Sequence, residues 1–230
     1  MSVKAIVPFG LKRVQARLRR TLLLTWRSGS RRSLWVCVQS PYLYSFFVEV
    51  VHNRSAYYAY DEFVFLWRTF SRQQRRMAKL LFRLANYVQP SMIFVAEGDE
   101  RWIPFLLRGS RVSEVVVYGE RTHVASHNTD ACRAYEEMAL RAKAEEQDKS
   151  KMLIVLPHSD EATIAKARIE SYAGQGSIII ATDIRSTPAI KRGWRQLCGM
   201  PWASVSIDLY SSGIIMMNST FSNLHYNTVL

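Results

Sequence analysis

The sequence predicts an α/β fold in which a mostly parallel sheet ends in a C-terminal antiparallel hairpin and follows a basic helical N-terminal part. Two observations predict it. From residue 90 onward, short β-branched runs alternate with helical segments, which is typical of βαβ units with helices on both faces of a sheet. Only Ser211 and Ser212 separate the last two runs, so these must pair antiparallel, because a parallel crossover needs about a dozen residues.

Length and composition indicate one α/β domain or two small ones. The chain has 230 residues, of which 48% are hydrophobic, enough for a sizeable core. Its longest apolar runs are far shorter than the roughly 20 residues of a spanning helix, so we expect a soluble protein. The three cysteines lie far apart without a C-x-x-C motif, which argues against a disulfide framework or a zinc site and favours the cytoplasm.

The positive charge is confined to the N-terminal two fifths of the chain. Residues 1–89 hold 16 basic and 3 acidic side chains, a net charge of +13, whereas residues 90–230 hold 15 and 16. We therefore predict a basic helical cap over residues 1–89 and a sheet domain over residues 90–230. A one-sided positive field attracts RNA, an anionic membrane surface or an acidic protein.

The first 32 residues predict an amphipathic basic helix. They contain nine Lys or Arg and no acid, and Leu11, Val14 and Leu18 recur at helical spacing. The basic side chains available to an anionic partner, or to a peripheral membrane contact, are Arg13, Arg17, Arg19 and Arg20. An acid-free, Arg-rich start also resembles a transit peptide, although no small-residue cleavage site follows.

Residues 40–90 are rich in aromatics and predict helices. Pro41 is near the start of one, and Ser71 with Gln74 is a capping box that opens a helix from Arg72 to Tyr87. The basic residues of that helix are expected largely opposite an apolar stripe that includes Leu80. Pro90 ends it.

The remaining elements alternate. The predicted strands are 91–96, 114–118, 151–156, 177–181, 204–210 and 213–217, and the predicted helices are 102–108, 128–146, 160–173 and 188–197.

Several local strings resemble one bacterial branch of the class I S-adenosylmethionine-dependent methyltransferases. They are Ser40-Pro-Tyr-Leu-Tyr-Ser-Phe-Phe47, Leu80-Leu-Phe-Arg-Leu-Ala-Asn-Tyr-Val-Gln-Pro90, Thr182-Asp-Ile-Arg-Ser186 with Trp194, and Ser206-Ile-Asp-Leu-Tyr-Ser-Ser-Gly-Ile-Ile215. The resemblance covers about residues 34–218 and implies a Rossmann-like sheet with the helical N-terminal part over the active-site mouth. It also implies S-adenosylmethionine as cofactor.

The resemblance implies a cofactor loop after the first strand, at Glu97, Gly98 and Asp99. In the family this loop reads close to E-L-G-x-x-x-G, whose glycines let the backbone approach the cofactor. Here an ungapped alignment puts Glu97 and Arg101 at the two glycine positions. Glu120, after the second strand, is the candidate acid for the ribose hydroxyls; the alternative is a solvated loop residue.

The resemblance implies Asp183 and His158 as catalytic residues. The family's Asp-Gly-x-His string reads Val155-Leu-Pro-His158 here, and its Asp-Asp-Ile reads Thr182-Asp-Ile184. Because two carboxylates are replaced, no metal is expected. Asp208 lies within a strand and is interpreted as support for the edge of the sheet.

Two functions remain open at this point. One is an active methyltransferase in which Asp183 or His158 is the general base. The other is a protein of the same fold that is non-catalytic, because the glycine loop and two carboxylates are altered, and that binds an anionic partner.

Overall fold

A computed structural model describes residues 38–96, 98–111, 114–118, 123–126, 151–156 and 176–230. These ranges form an α/β structure with one mixed sheet. Its strands are β1 (Met92–Ala96), β2 (Glu114–Tyr118), β3 (His123–Ser126), β4 (Met152–Leu156), β5 (Ile178–Ala181), β6 (Val205–Asp208), β7 (Gly213–Met216) and β8 (Leu224–Asn227). The described α-helices are α1 (Pro41–Phe46), α2 (Val64–Thr69), α3 (Arg72–Val88), α4 (Ile103–Gly109) and α5 (Pro188–Cys198). A π-helical segment (Phe47–Val51) and two 3₁₀ segments (Tyr58–Phe63 and Glu100–Trp102) are also described.

The strand order is β3-β2-β1-β4-β5-β7-β6-β8. Strands β2, β1, β4 and β5 are parallel neighbours, and β7 runs antiparallel between β5 and β6. The prediction of a mostly parallel sheet with a C-terminal antiparallel hairpin is thus confirmed. The carboxyl ends of β1, β4, β5, β6 and β8 consequently lie along the same edge of the sheet.

Two edge strands were not predicted. Strand β3 pairs antiparallel with β2, and β8 pairs parallel with β6. Each has four residues, and β8 alternates half-buried and exposed positions because one of its faces is open to solvent. Short edge strands of this kind carry too few apolar residues for a clear periodic signal.

Helix α3 begins at Arg72 as its sequence predicts and ends one residue later than predicted, at Val88. The Ser71 hydroxyl accepts a hydrogen bond from the Gln74 amide (3.3 Å), and the Gln74 side chain accepts one from the Ser71 amide (2.8 Å), which completes the capping box. Gln89 then adopts a left-handed conformation (φ 45°) before Pro90. The basic residues of this helix lie largely opposite the apolar stripe, as predicted, but Arg83 is buried with the stripe and is 7% exposed.

The described helices cover both faces of the sheet. On one face, α1, α3 and α4 share a core with strand residues such as Ile93 and Val155. On the other, Trp194 and Leu197 of α5 pack over residues such as Ile179. The sheet is therefore the middle of three layers.

Some predictions fall on undescribed residues. The basic N-terminal helix and the helices 128–146 and 160–173 lie outside the described ranges, and the division of the chain at residue 89 stays a prediction. Within the described ranges, no helix combines the length and apolar character needed to cross a membrane.

Candidate functional site

The candidate site lies at the edge of the sheet formed by the carboxyl ends of β1, β4 and β5, where open α/β sheets bind their ligands. Gly98 and Asp99 follow β1, and Thr182 and Asp183 follow β5, on the other side of β4. The structure brings these two loops together. The other predicted site residues, Glu97, Glu120 and His158, lie outside the described residues.

Asp99 connects the two loops. Its carboxylate is 1% exposed and accepts a hydrogen bond from the Thr182 hydroxyl (3.0 Å). The guanidinium of Arg101, which is partly exposed, lies 3.3 Å from its other oxygen. Since β1 and β5 flank β4, this hydrogen bond joins the loops across the carboxyl end of β4.

Burial is the main influence on the pKa of Asp99, and it raises the value. The hydrogen bond from Thr182, the charge of Arg101 and the indole N–H of Trp102 act in the opposite direction, while the charge of Asp183 adds to the rise. The Trp102 indole N–H nevertheless has no partner in hydrogen-bond geometry among the described residues. Asp99 is therefore a carboxylate for which the loss of hydration outweighs its internal partners.

Gly98 shapes the loop after β1. Its φ of +94° is in the region that favours glycine, and a Cβ there would meet no atom within 4 Å. The backbone conformation, not crowding, requires glycine at this position. Its amide donates to the carboxylate of Glu100, with both oxygens at 3.1 Å.

Asp183 is exposed at the carboxyl end of β5. Its φ is +49°, in the left-handed region, and its carbonyl accepts a hydrogen bond from the Ser186 amide (2.9 Å). Its charge is close enough to Asp99 to raise the pKa of that residue. Such an exposed carboxylate has the chemistry to accept a proton or to orient a hydroxyl group.

Asp208 has a structural environment, as its position in a strand indicates. Arg185 donates to both of its carboxylate oxygens and also to the Tyr210 carbonyl (2.5 Å), and the Tyr210 amide donates to it (2.7 Å). The guanidinium also lies 5.0 Å from the centre of the Tyr210 ring. These contacts connect the segment after β5 to the turn between β6 and β7.

Sequence reasoning missed a basic cavity of about 610 Å³ beside helix α3. Its lining includes Arg76, Lys79 and Arg83 of α3, together with His52 and Tyr60. The helical spacing of the three basic residues was the available signal, but the sequence does not indicate that a loop closes over them.

Comparisons with known proteins do not identify the chain further. No protein-family model, curated protein or solved structure matches it. Within the described ranges, no group of three or more His, Cys, Asp or Glu side chains is placed to hold a metal ion. The observations that bear on function are therefore the loops around Asp99 and the basic cavity.

Proposed function

We propose that this protein is a non-catalytic relative of the class I methyltransferases that acts as a binding module for an anionic partner. The observation that carries the proposal is the state of Asp99. Its carboxylate is buried and engaged by Thr182 and Arg101, at the loop where the resemblance implies a cofactor. A ligand would have to break these contacts to reach it.

The sheet supports the resemblance itself. Its parallel centre, formed by β2, β1, β4 and β5, is followed by a C-terminal antiparallel hairpin. This is the layout that the quoted strings imply. Fold alone does not imply an activity, so the function is inferred from the loops at the carboxyl edge.

The described loop residues do not fit S-adenosylmethionine. The amino-acid end of that cofactor carries a carboxylate, and the glycine loop of a nucleotide-type site offers backbone amides to such groups. Here the Gly98 amide already donates to the Glu100 carboxylate, so this amide is not free for a ligand. This contact argues against methyl transfer at the loop after β1.

The charge distribution supports an anionic partner. Residues 1–89 carry a net charge of +13, and α3 contributes five basic side chains and no acidic one. An excess concentrated on one part of a chain steers association with polyanions and makes binding sensitive to salt.

Active methyl transfer is the second candidate, and two observations favour it. Asp183 is exposed at the carboxyl end of a parallel strand with a left-handed backbone, and left-handed non-glycine residues cluster at functional sites. Asp99 has a raised pKa beside it, which is also typical of active sites. In this candidate Asp183 is the general base.

Calorimetric titration with S-adenosylmethionine and S-adenosylhomocysteine distinguishes the two candidates. We expect neither heat of binding nor a rise in melting temperature at millimolar ligand. Saturable binding of either compound that is lost in Asp99→Ala contradicts the proposal and favours the methyltransferase.

Salt-dependent retention on heparin tests the anionic partner. Replacing Arg13, Arg17, Arg19 and Arg20 by Gln should lower the eluting salt concentration more than the same change at Arg111, Lys191, Arg192 and Arg195. Equal shifts in the two variants would exclude the N-terminal segment as the contact surface.

A further inference from the structure

The basic cavity lies between helix α3, the segment 51–55 and the residues that follow β8. Its volume of about 610 Å³ falls within the range of small-molecule sites, roughly 300–1,000 Å³. Leu230 closes one side, where its carbonyl accepts a hydrogen bond from Arg76 (3.2 Å). Three separate parts of the chain thus form a concave site and not a flat patch.

The lining of this cavity is positively charged. Arg76, Lys79 and Arg83 are three and four residues apart on α3 and share one face of the helix, and Arg54 faces them from the segment 51–55. No Asp or Glu occurs among the described lining residues. Arg54 and Arg76 are exposed and screened by solvent, so an entering anion would gain most from the half-buried Lys79 and the buried Arg83.

Arg83 is the strongest single indication of an anion. It is 7% exposed, and its guanidinium donates to the carbonyls of Val50 (2.7 Å) and Val51 (3.5 Å). In the described part of the chain, no carboxylate forms an ion pair with it. A buried cation is costly unless it is paired, and two carbonyls leave its charge without a counter-ion.

Tyr60, which lies beside Arg83, supplies a second indication. It is 7% exposed and lines the cavity, and its buried hydroxyl has no hydrogen-bond partner among the described residues. Burial raises the pKa of the phenol, while the adjacent Arg83 guanidinium opposes this through a hydrogen-bond contribution and its charge, although no contact between the two side chains meets hydrogen-bond geometry. The hydroxyl is therefore a neutral donor at pH 7. A buried hydroxyl without a partner costs free energy that a ligand oxygen would recover.

We infer that this cavity binds the phosphate group of a phosphorylated small molecule. Arginine forks match phosphate oxygens geometrically, and several cations together favour a multiply charged anion over a monocarboxylate. The inference rests on the proposed function and deepens it, since it assigns the anionic ligand to the cavity beside α3. A soluble phosphate ester and a phospholipid headgroup present the same chemistry to these residues.

The test is calorimetric titration of the full chain with inorganic pyrophosphate at constant ionic strength. The Lys79→Gln and Tyr60→Phe variants should each weaken binding about tenfold, because each loses one interaction with a charged group. Arg83→Gln should weaken pyrophosphate binding further. If the Arg83→Gln variant fails to fold, Lys79→Gln and Tyr60→Phe still decide the test. The matched control is Arg192→Gln, which removes the same charge from an exposed position on α5, on the opposite face of the sheet, and should change the affinity less than twofold.

Absence of saturable pyrophosphate binding overturns the inference, as does an equal loss of affinity in Lys79→Gln and Arg192→Gln. Flotation with phosphatidylcholine vesicles, with and without phosphatidic acid, identifies the source of the phosphate. Binding that needs phosphatidic acid and is displaced by pyrophosphate indicates a headgroup, whereas pyrophosphate binding without vesicle binding indicates a soluble ester. Binding of S-adenosylmethionine would refute the proposed function without affecting the pyrophosphate result, so the two failures are distinguishable.

Discussion

Thr182→Val tests whether the hydrogen bond between the loops after β1 and β5 is structural. The substitution preserves the shape of a buried side chain but removes the hydroxyl that donates to Asp99 over 3.0 Å. A hydrogen bond to a charged group contributes about 1.5–3 kcal/mol. The buried methyl group returns up to about 0.8 kcal/mol, so we expect the free energy of unfolding at pH 7 to fall by about 1–2 kcal/mol.

The pH dependence makes this prediction specific. The pKa of Asp99 is raised above its ordinary value of 3.8, so the folded state holds this proton to higher pH than the unfolded state. The contribution of Asp99 to stability therefore falls as the pH rises from 3.8 to its folded-state pKa. Without the Thr182 hydroxyl, the pKa of Asp99 rises further. The difference in free energy of unfolding between variant and wild type should therefore increase over the same pH range.

Urea unfolding at about pH 3.5 and pH 7 measures both effects, because the denaturant midpoint reports stability at each pH. Thr182→Ser keeps the hydroxyl and should show little change with pH relative to wild type. A Thr182→Val variant that is more stable than wild type, or equally destabilised at both pH values, refutes a charge-assisted bond to Asp99.

Three other substitutions or reactions test the packing. Gly213→Ala should lose about 3 kcal/mol in urea unfolding, because its Cβ would overlap the Trp194 ring. Gly199→Ala, whose Cβ would have its nearest atom at 3.5 Å, should lose far less, and similar losses would contradict this packing. Ser71→Ala should cost about 1 kcal/mol through the lost N-cap of α3, and no change would contradict the capping role. Burial raises the pKa of the Cys198 thiol from 9.0 to about 12. Peptide-resolved iodoacetamide labelling of Cys198 at about pH 8 should therefore be about a thousandfold slower in the folded chain than in urea, and equal rates would contradict the raised pKa.

The sequence predicts the central strands because their pattern depends on local residues. The run 178–181 consists of apolar residues that are all buried, as expected for a parallel strand covered on both faces. The Ser71 capping box is local in the same sense. Edge strand β8 is missed because its residues, Leu-His-Tyr-Asn, are mixed in polarity and alternate between half-buried and exposed.

The candidate site is predicted less completely because its contacts join distant residues. The strings after β1 and β5 direct attention to Asp99 and Asp183, but the hydrogen bond from Thr182 to Asp99 spans 83 residues. The burial of Arg83 is similarly hidden, since it depends on carbonyls 32 and 33 residues earlier in the chain. Helical spacing alone places this residue with the other basic side chains of α3.

The same physical rule gives opposite results at the two sites. A buried charge or polar group must be paired, and at the carboxyl edge the described chain supplies Thr182 and Arg101 as partners for Asp99, although the Trp102 indole N–H has none in hydrogen-bond geometry. In the cavity, the described chain leaves the Arg83 charge without a carboxylate and the Tyr60 hydroxyl without a partner. An incoming anion therefore stabilises the cavity, whereas a ligand at the carboxyl edge must first displace contacts that already exist. Because of this difference, we assign anion binding to the cavity beside α3.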